Sequence, residues 1–212
     1  KNSINSLDFA PLLSINKKSN IIISFPTPEG NFKKFYMYES PVMPEALSDK
    51  FPSIKTYTGI GVESQSERVS LTFSNTQIKA MILGKNNNVF ISSSDSNNLF
   101  RVSYLENDFD TSTDNIQCGH TELYDQLISE RAEGFEECVG EDEPCYTMGD
   151  VLVTYRTAFI MTESVTNAVA DGTVEGGMAW VASMVNQLNL LWLRELSYKL
   201  ELVANNDVLI FT

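Results

Sequence analysis

The sequence predicts an α+β fold: an antiparallel, β-rich N-terminal part followed by an incomplete α/β unit of strand, helix and strand. Two patterns predict it. Through residues 1–106, short β-branched and aromatic runs recur at roughly ten-residue spacing between Asn, Gly and Ser turn signals. After residue 150, an apolar run, a stripe of helical period and an alternating run follow one another. Of the 212 residues, 42% are hydrophobic and 20% charged, a globular composition that argues against wholesale disorder.

The first run, Ile21-Ile22-Ile23-Ser24-Phe25, is stopped by Pro26 and Pro28. Glu29-Gly30-Asn31 signals a turn, and the aromatic run 32–38 completes a predicted hairpin. Residues 44–51 predict a short helix, with Pro44 at its start and Pro52 ending it. Further strands are predicted at 54–60, 68–73, 78–83, 89–93 and 100–105. Turn residues separate them, as in Gly84-Lys85-Asn86-Asn87-Asn88. No fixed-period repeat is present.

Residues 107–149 are polar and acidic. The stretch 130–143 carries Glu130, Glu133, Glu136, Glu137, Glu141, Asp142 and Glu143 against Arg131. Like charges in a run resist packing, so this reads as a solvated connection, open to proteolysis. Ca²⁺ is a candidate ligand of the run, although no spacing resembles an EF-hand loop.

Residues 151–161 predict a strand. Thr173 is a good N-cap for a helix reaching about Glu195, and Val174, Met178, Val181, Val185, Leu188 and Trp192 share one stripe. Residues 196–203 alternate as a second strand, Asn205-Asn206-Asp207 is a turn, and 208–211 opens another apolar run. Strand, helix and strand form a βαβ unit. One helix cannot cover both faces of such a sheet. The expectation is therefore a longer protein of which this is the front, or a fold completed by another chain. The chain opens Lys1-Asn2-Ser3 without an apolar signal core, which leaves a removed leader or an internal start.

Fifteen Lys and Arg against 28 Asp and Glu leave a net charge of −13. That argues against nucleic acid and against anionic membrane surfaces. No apolar run is long enough to span a bilayer. Three cysteines are present. Cys138 and Cys145 are candidates for a local disulfide, with three unrelated thiols as the alternative. One histidine, His120, and no HExxH exclude a self-contained two-His zinc site. No GxSxG surrounds any serine, and Gly176-Gly177 lies inside the helix pattern without a phosphate-loop lysine. Cys118-Gly119-His120 is the chemically pointed tripeptide: a thiolate in an extended, Gly-containing segment can serve as one ligand to a zinc held elsewhere. The alternatives are an incidental loop cysteine or one half of a disulfide with Cys138 or Cys145.

Several blocks carry a family likeness: Tyr155-Arg156-Thr157-Ala158-Phe159, Gly172-Thr173-Val174, Met184-Val185-Asn186-Gln187-Leu188-Asn189, Arg194-Glu195-Leu196 and Leu200-Glu201-Leu202-Val203-Ala204-Asn205-Asn206-Asp207. They resemble the opening of the catalytic domain in reprolysin-like zinc metallopeptidases of the metzincin clan, of the secreted Bacteroidetes type. The front portion resembles their pro-region through Ile23-Ser24-Phe25-Pro26, Met37-Tyr38-Glu39-Ser40-Pro41-Val42-Met43, Phe51-Pro52-Ser53-Ile54-Lys55-Thr56-Tyr57 and Lys79-Ala80-Met81-Ile82-Leu83.

The resemblance implies a secreted or cell-surface zymogen. Residues 1–106 are its β-rich prodomain, 107–149 its acidic linker, and 150–212 the truncated start of its peptidase domain. The zinc motif HExxHxxGxxH belongs downstream, so the parent binds Zn²⁺ while this chain is expected to bind none and to be inactive alone. No catalytic residue carries over. Cys118-Gly119 resembles the cysteine switch of metzincin prodomains, making Cys118 the candidate inhibitory zinc ligand, with Asp114 or Glu122 as substitutes. Cleavage in roughly 130–150, with Arg131 as candidate site, would release the prodomain. Implied partners are the rest of the catalytic domain or a chain completing the fold, an activating protease and protein substrates. Two other readings stand beside it: a non-catalytic secreted β-module for adhesion or protein binding, and a stable product retained as an inhibitor.

Overall fold

The computed structural model describes residues 6–13, 18–75, 77–84, 88–93, 100–104 and 152–212. It is a mixed α+β structure. Strands β1 (Ile22–Pro26) and β2 (Phe32–Glu39) form the predicted hairpin. Gly30 occupies its turn at φ +82°, a left-handed conformation that glycine adopts without strain. Next come β3 (Lys55–Gly61), β4 (Arg68–Phe73), β5 (Ile78–Leu83), β6 (Val89–Ser93) and β7 (Phe100–Tyr104). The described residues build a seven-stranded antiparallel meander in the order β1 to β7.

One face of this sheet carries its own core. Phe25, Phe35, Met37, Val69, Ile82 and Ile91 are buried there, with Leu7 and Ala10 from the segment before β1. Phe25 and Phe35 meet edge to face at 5.7 Å. Gly59 permits this packing, because a Cβ at that position would run into the side chains of Val69 and Met37. The alternate positions Thr56, Thr58, Ser70 and Thr72 are also buried, on the opposite face.

The predicted helix at 44–51 is a single turn, α1 (Glu45–Ser48). Phe51 precedes Pro52, whose ring disfavours helical backbone at the residue before it, so the helix stops short. The predicted strand at 151–161 is described only as β8 (Val153–Thr157). Beyond it, Phe159 gives its backbone N–H to Asn206 Oδ1 (2.8 Å), and its carbonyl accepts from Asn206 Nδ2 (3.2 Å). A buried side chain there takes the place of the ladder. A short helix α2 (Glu163–Val169), which the sequence reading lacks, follows. Its buried residue is Thr166 while Val165 and Val169 are exposed, so it has no apolar stripe to read. The apolar run 208–211 is not a strand either. It continues a 3-10 turn (Asn206–Leu209) and makes one bridge, Met161 to Ile210.

Helix α3 (Val174–Glu195) begins where its cap predicts: the Thr173 hydroxyl accepts from Gly176 N–H at 2.9 Å. Strand β9 (Tyr198–Leu202) then pairs parallel with β8, giving the βαβ order. Met178, Val181 and Val185 of the predicted stripe are fully buried. They share a core with Leu200 and Leu202 and also with Val42, Met43, Leu47 and Ile54 from the front of the chain. Helix α3 therefore lies between the two sheets, with β3 to β5 on one side and β9 on the other. None of the described helices is long and apolar enough to cross a membrane.

Candidate functional site

Cys118, Arg131, Cys138, Cys145 and the alternates Asp114, His120 and Glu122 lie outside the described residues, as does the acidic run. Among the described residues, no three His, Cys, Asp or Glu side chains converge on a point where a metal could sit. The chemically open feature of the described chain is the parallel pair β8–β9.

The ladder fixes which backbone groups face where. Val153 N–H donates to Ser197 O (3.1 Å), and Val203 N–H donates to Thr157 O (2.9 Å). Parallel pairing makes this alternate, so residues 153, 155 and 157 turn both backbone groups toward β9. Thr154 and Arg156 turn theirs outward. Among the described residues no strand pairs with that outer edge. The strand is exposed on both faces as well, through Val153, Tyr155, Thr154 and Arg156. Parallel strands are ordinarily buried on both faces, so a two-stranded parallel pair whose outer edge meets no described strand is an unusual surface.

On the far edge of β9 the situation is reversed. Leu200 N–H donates to Asn189 Oδ1 (2.6 Å), and Asn189 Nδ2 donates to Leu200 O (2.9 Å). One carboxamide, 1% exposed, thus does what a neighbouring strand would do. Leu202 N–H continues the edge by donating to Val42 O at 2.8 Å. The pair is closed on one side and open on the other.

Exposed aromatic and apolar side chains lie on and near the two strands in sequence. Tyr155, 49% exposed, meets Tyr198 edge to face at 5.2 Å. The Tyr198 hydroxyl beside it raises the Tyr155 phenol above its ordinary value, by charge and by hydrogen bonding. Leu152, Ile160, Val208 and Phe211 are more than half exposed nearby in sequence. An edge of this kind offers alternating N–H and C=O groups to an added strand and apolar contacts to whatever covers it.

The other flank of α3 is polar. Asn186 Nδ2 donates to Tyr57 O and Leu71 O, both at 3.1 Å, and to Thr72 Oγ1 at 3.3 Å. Small residues, Ala179, Ala182 and Ser183, accompany it on the buried surface of the helix. Lys79 places its ammonium over the Trp180 ring at 5.7 Å, and burial lowers its pKa. Asn186, Asn189 and Asn206 hold the fold through side-chain hydrogen bonds that the stripe of apolar residues does not reveal. For Asn186 and Asn189 the signal was a polar, weakly helix-forming residue recurring inside a strong helix pattern, which marks a side chain with backbone partners.

Comparison with models of known protein families, with curated proteins and with solved structures returns no match.

Proposed function

We propose that the chain is the pro-region and first part of a secreted zinc metalloendopeptidase zymogen, in which the front sheet keeps the peptidase latent and assists its folding. The observation that carries this reading is the outer edge of β8, with which no described strand pairs. A parallel β8–α3–β9 unit with one edge capped by Asn189 and the other unpaired among the described residues is the arrangement expected where further strands belong. The β-rich front packed on α3 agrees with a pro-region serving as a template for the unit that follows it.

In this reading Cys118 supplies the thiolate that holds the parent enzyme inactive, and Arg131 lies in the segment that an activating protease cuts. Zinc, when bound, supplies Lewis-acid chemistry to peptide hydrolysis. The described residues offer it no donor set, so no step of the reaction is assigned to them. Their part is to present β8 and to bury α3. The resemblance that motivates the reading runs through blocks on both sides of the acidic connection.

The test uses the complete gene product. Its Cys118→Ala variant is expected to hydrolyse peptides without prior cutting, whereas the parent does so only after cleavage near 130–150. Equal latency in both removes Cys118 from the mechanism. Absence of zinc-dependent hydrolysis in both, before and after cutting, removes the peptidase reading and leaves the secreted binding module, for which the same open edge would serve as the docking strand.

A further inference from the structure

We infer that residues 6–104 and 152–212 remain bound to one another when the connection between them is cut, so that proteolysis within 105–151 gives a two-chain complex and not a free pro-region. The association is a property of the interface, whether or not the peptidase reading holds.

The two parts depend on the interface unequally. The front sheet has a core of its own, drawn entirely from its side of the connection. Among the described residues the tail has none that closes without the front: Met178, Val181, Leu202 and Ile210 are buried in a cluster completed by Val42, Met43, Leu47 and Ile54. Separation would bare that apolar surface to water, which opposes release. Polar contacts fix the register across the join. Asn186 spans the carbonyls of Tyr57 and Leu71, and Leu202 N–H reaches Val42 O. At the rim, Lys50 Nζ lies 2.8 Å from Asp207, and Ser53 Oγ donates to Glu175 at 2.7 Å.

Charge acts in the same direction. Residues 1–104 contain 11 Lys and Arg against 8 Asp and Glu, whereas residues 152–212 contain 3 against 6. The parts are thus oppositely charged, at +3 and −3. The connection holds 14 Asp and Glu and one Arg, so the whole net charge of −13 resides there. Cutting it removes none of the described groups that join the two parts. Cleavage and release are then separate events, and freeing the tail requires further digestion or displacement of the sheet.

The experiment inserts a site-specific protease recognition sequence within 105–151, cuts the folded chain to completion, and follows both pieces by native mass spectrometry and size exclusion. The expected result is one species containing both pieces from about 10 μM down to about 100 nM, separating only in denaturant. Two independent species under native conditions, or precipitation of the tail with the sheet left in solution, overturns the inference. The Lys50→Glu variant sets a like charge against Asp207 at an exposed position that leaves the fold intact. Its cut form is expected to dissociate about 3- to 10-fold more readily, and the difference should shrink at high salt. An unchanged dissociation constant overturns the interface as drawn. No peptidase activity is read, so this outcome is distinguishable from failure of the zymogen reading.

Discussion

Replacing Asn189 with Leu keeps the branching at Cγ in a larger side chain and removes both hydrogen bonds that hold the inner edge of β9. Asn189 is 1% exposed and Leu200 6%, so water does not substitute. The Leu200 N–H and C=O, now bonded at 2.6 and 2.9 Å, are left buried without partners. Each such group costs about 1–3 kcal/mol. Better helix propensity returns about 0.5 kcal/mol, and added apolar burial returns part of the remainder. The net expectation is a loss of about 2–4 kcal/mol, from two bonds with a partial offset. With a urea m-value of about 2–3 kcal/mol/M, the unfolding midpoint falls by about 1 M. Equilibrium unfolding followed by circular dichroism measures it, with m compared between the two proteins. A midpoint within about 0.2 M of the parent, at unchanged m, would refute the claim that this carboxamide stands in for a strand.

Gly177→Ala tests the close approach of α3 to the C-terminal segment. The added Cβ meets the Ile210 side chain, so a gain in helix propensity of about 1 kcal/mol is expected to lose to overpacking of about 1–3 kcal/mol. A higher thermal midpoint would contradict the packing. Tyr57 gives the pH dependence: burial, then the charges of Asp8 and Glu39, raise its phenol from 10.0 to about 12. A folded value above the unfolded one favours the neutral form in the fold. Its contribution to stability is therefore full below about pH 10 and is lost as pH rises toward about 12. Denaturation curves between those limits should show a decline that Tyr57→Phe lacks, and an identical decline in both would place the titration elsewhere.

The strands were legible where one face alternates with the other. Arg68–Phe73 and Ile78–Leu83 occur at the limits their β-branched and apolar runs suggest. What alternation could not disclose is the use of the second face. In β4, Ser70 and Thr72 read as the wetted side of a half-buried strand, yet both are buried. Small side chains on each surface allow helix and sheet to approach there, with Thr72 accepting from Asn186. A contact made from hydroxyls and alanines leaves no hydrophobic signal in the sequence. The βαβ order and the Thr173 cap were legible because a cap and a six-position stripe are local. The tie from Asn206 to Phe159 was not, since it joins residues 47 positions apart through a side chain that reads as a turn former. Of the candidate site, the strand, helix and strand order was readable from local patterns. The identity of the open strand required the ladder.

Backbone hydrogen exchange at β8 tests the central claim most directly. In the 212-residue chain, Thr154 and Arg156 N–H point to the edge that meets no described strand, while Val153 N–H is held by Ser197. Near-intrinsic exchange is expected at 154 and 156; if the zymogen proposal holds, a product extended by the strand it requires should slow exchange there by at least about 100-fold. Protection at 154 and 156 in the 212-residue chain itself, or no added protection in the extended product, would contradict it.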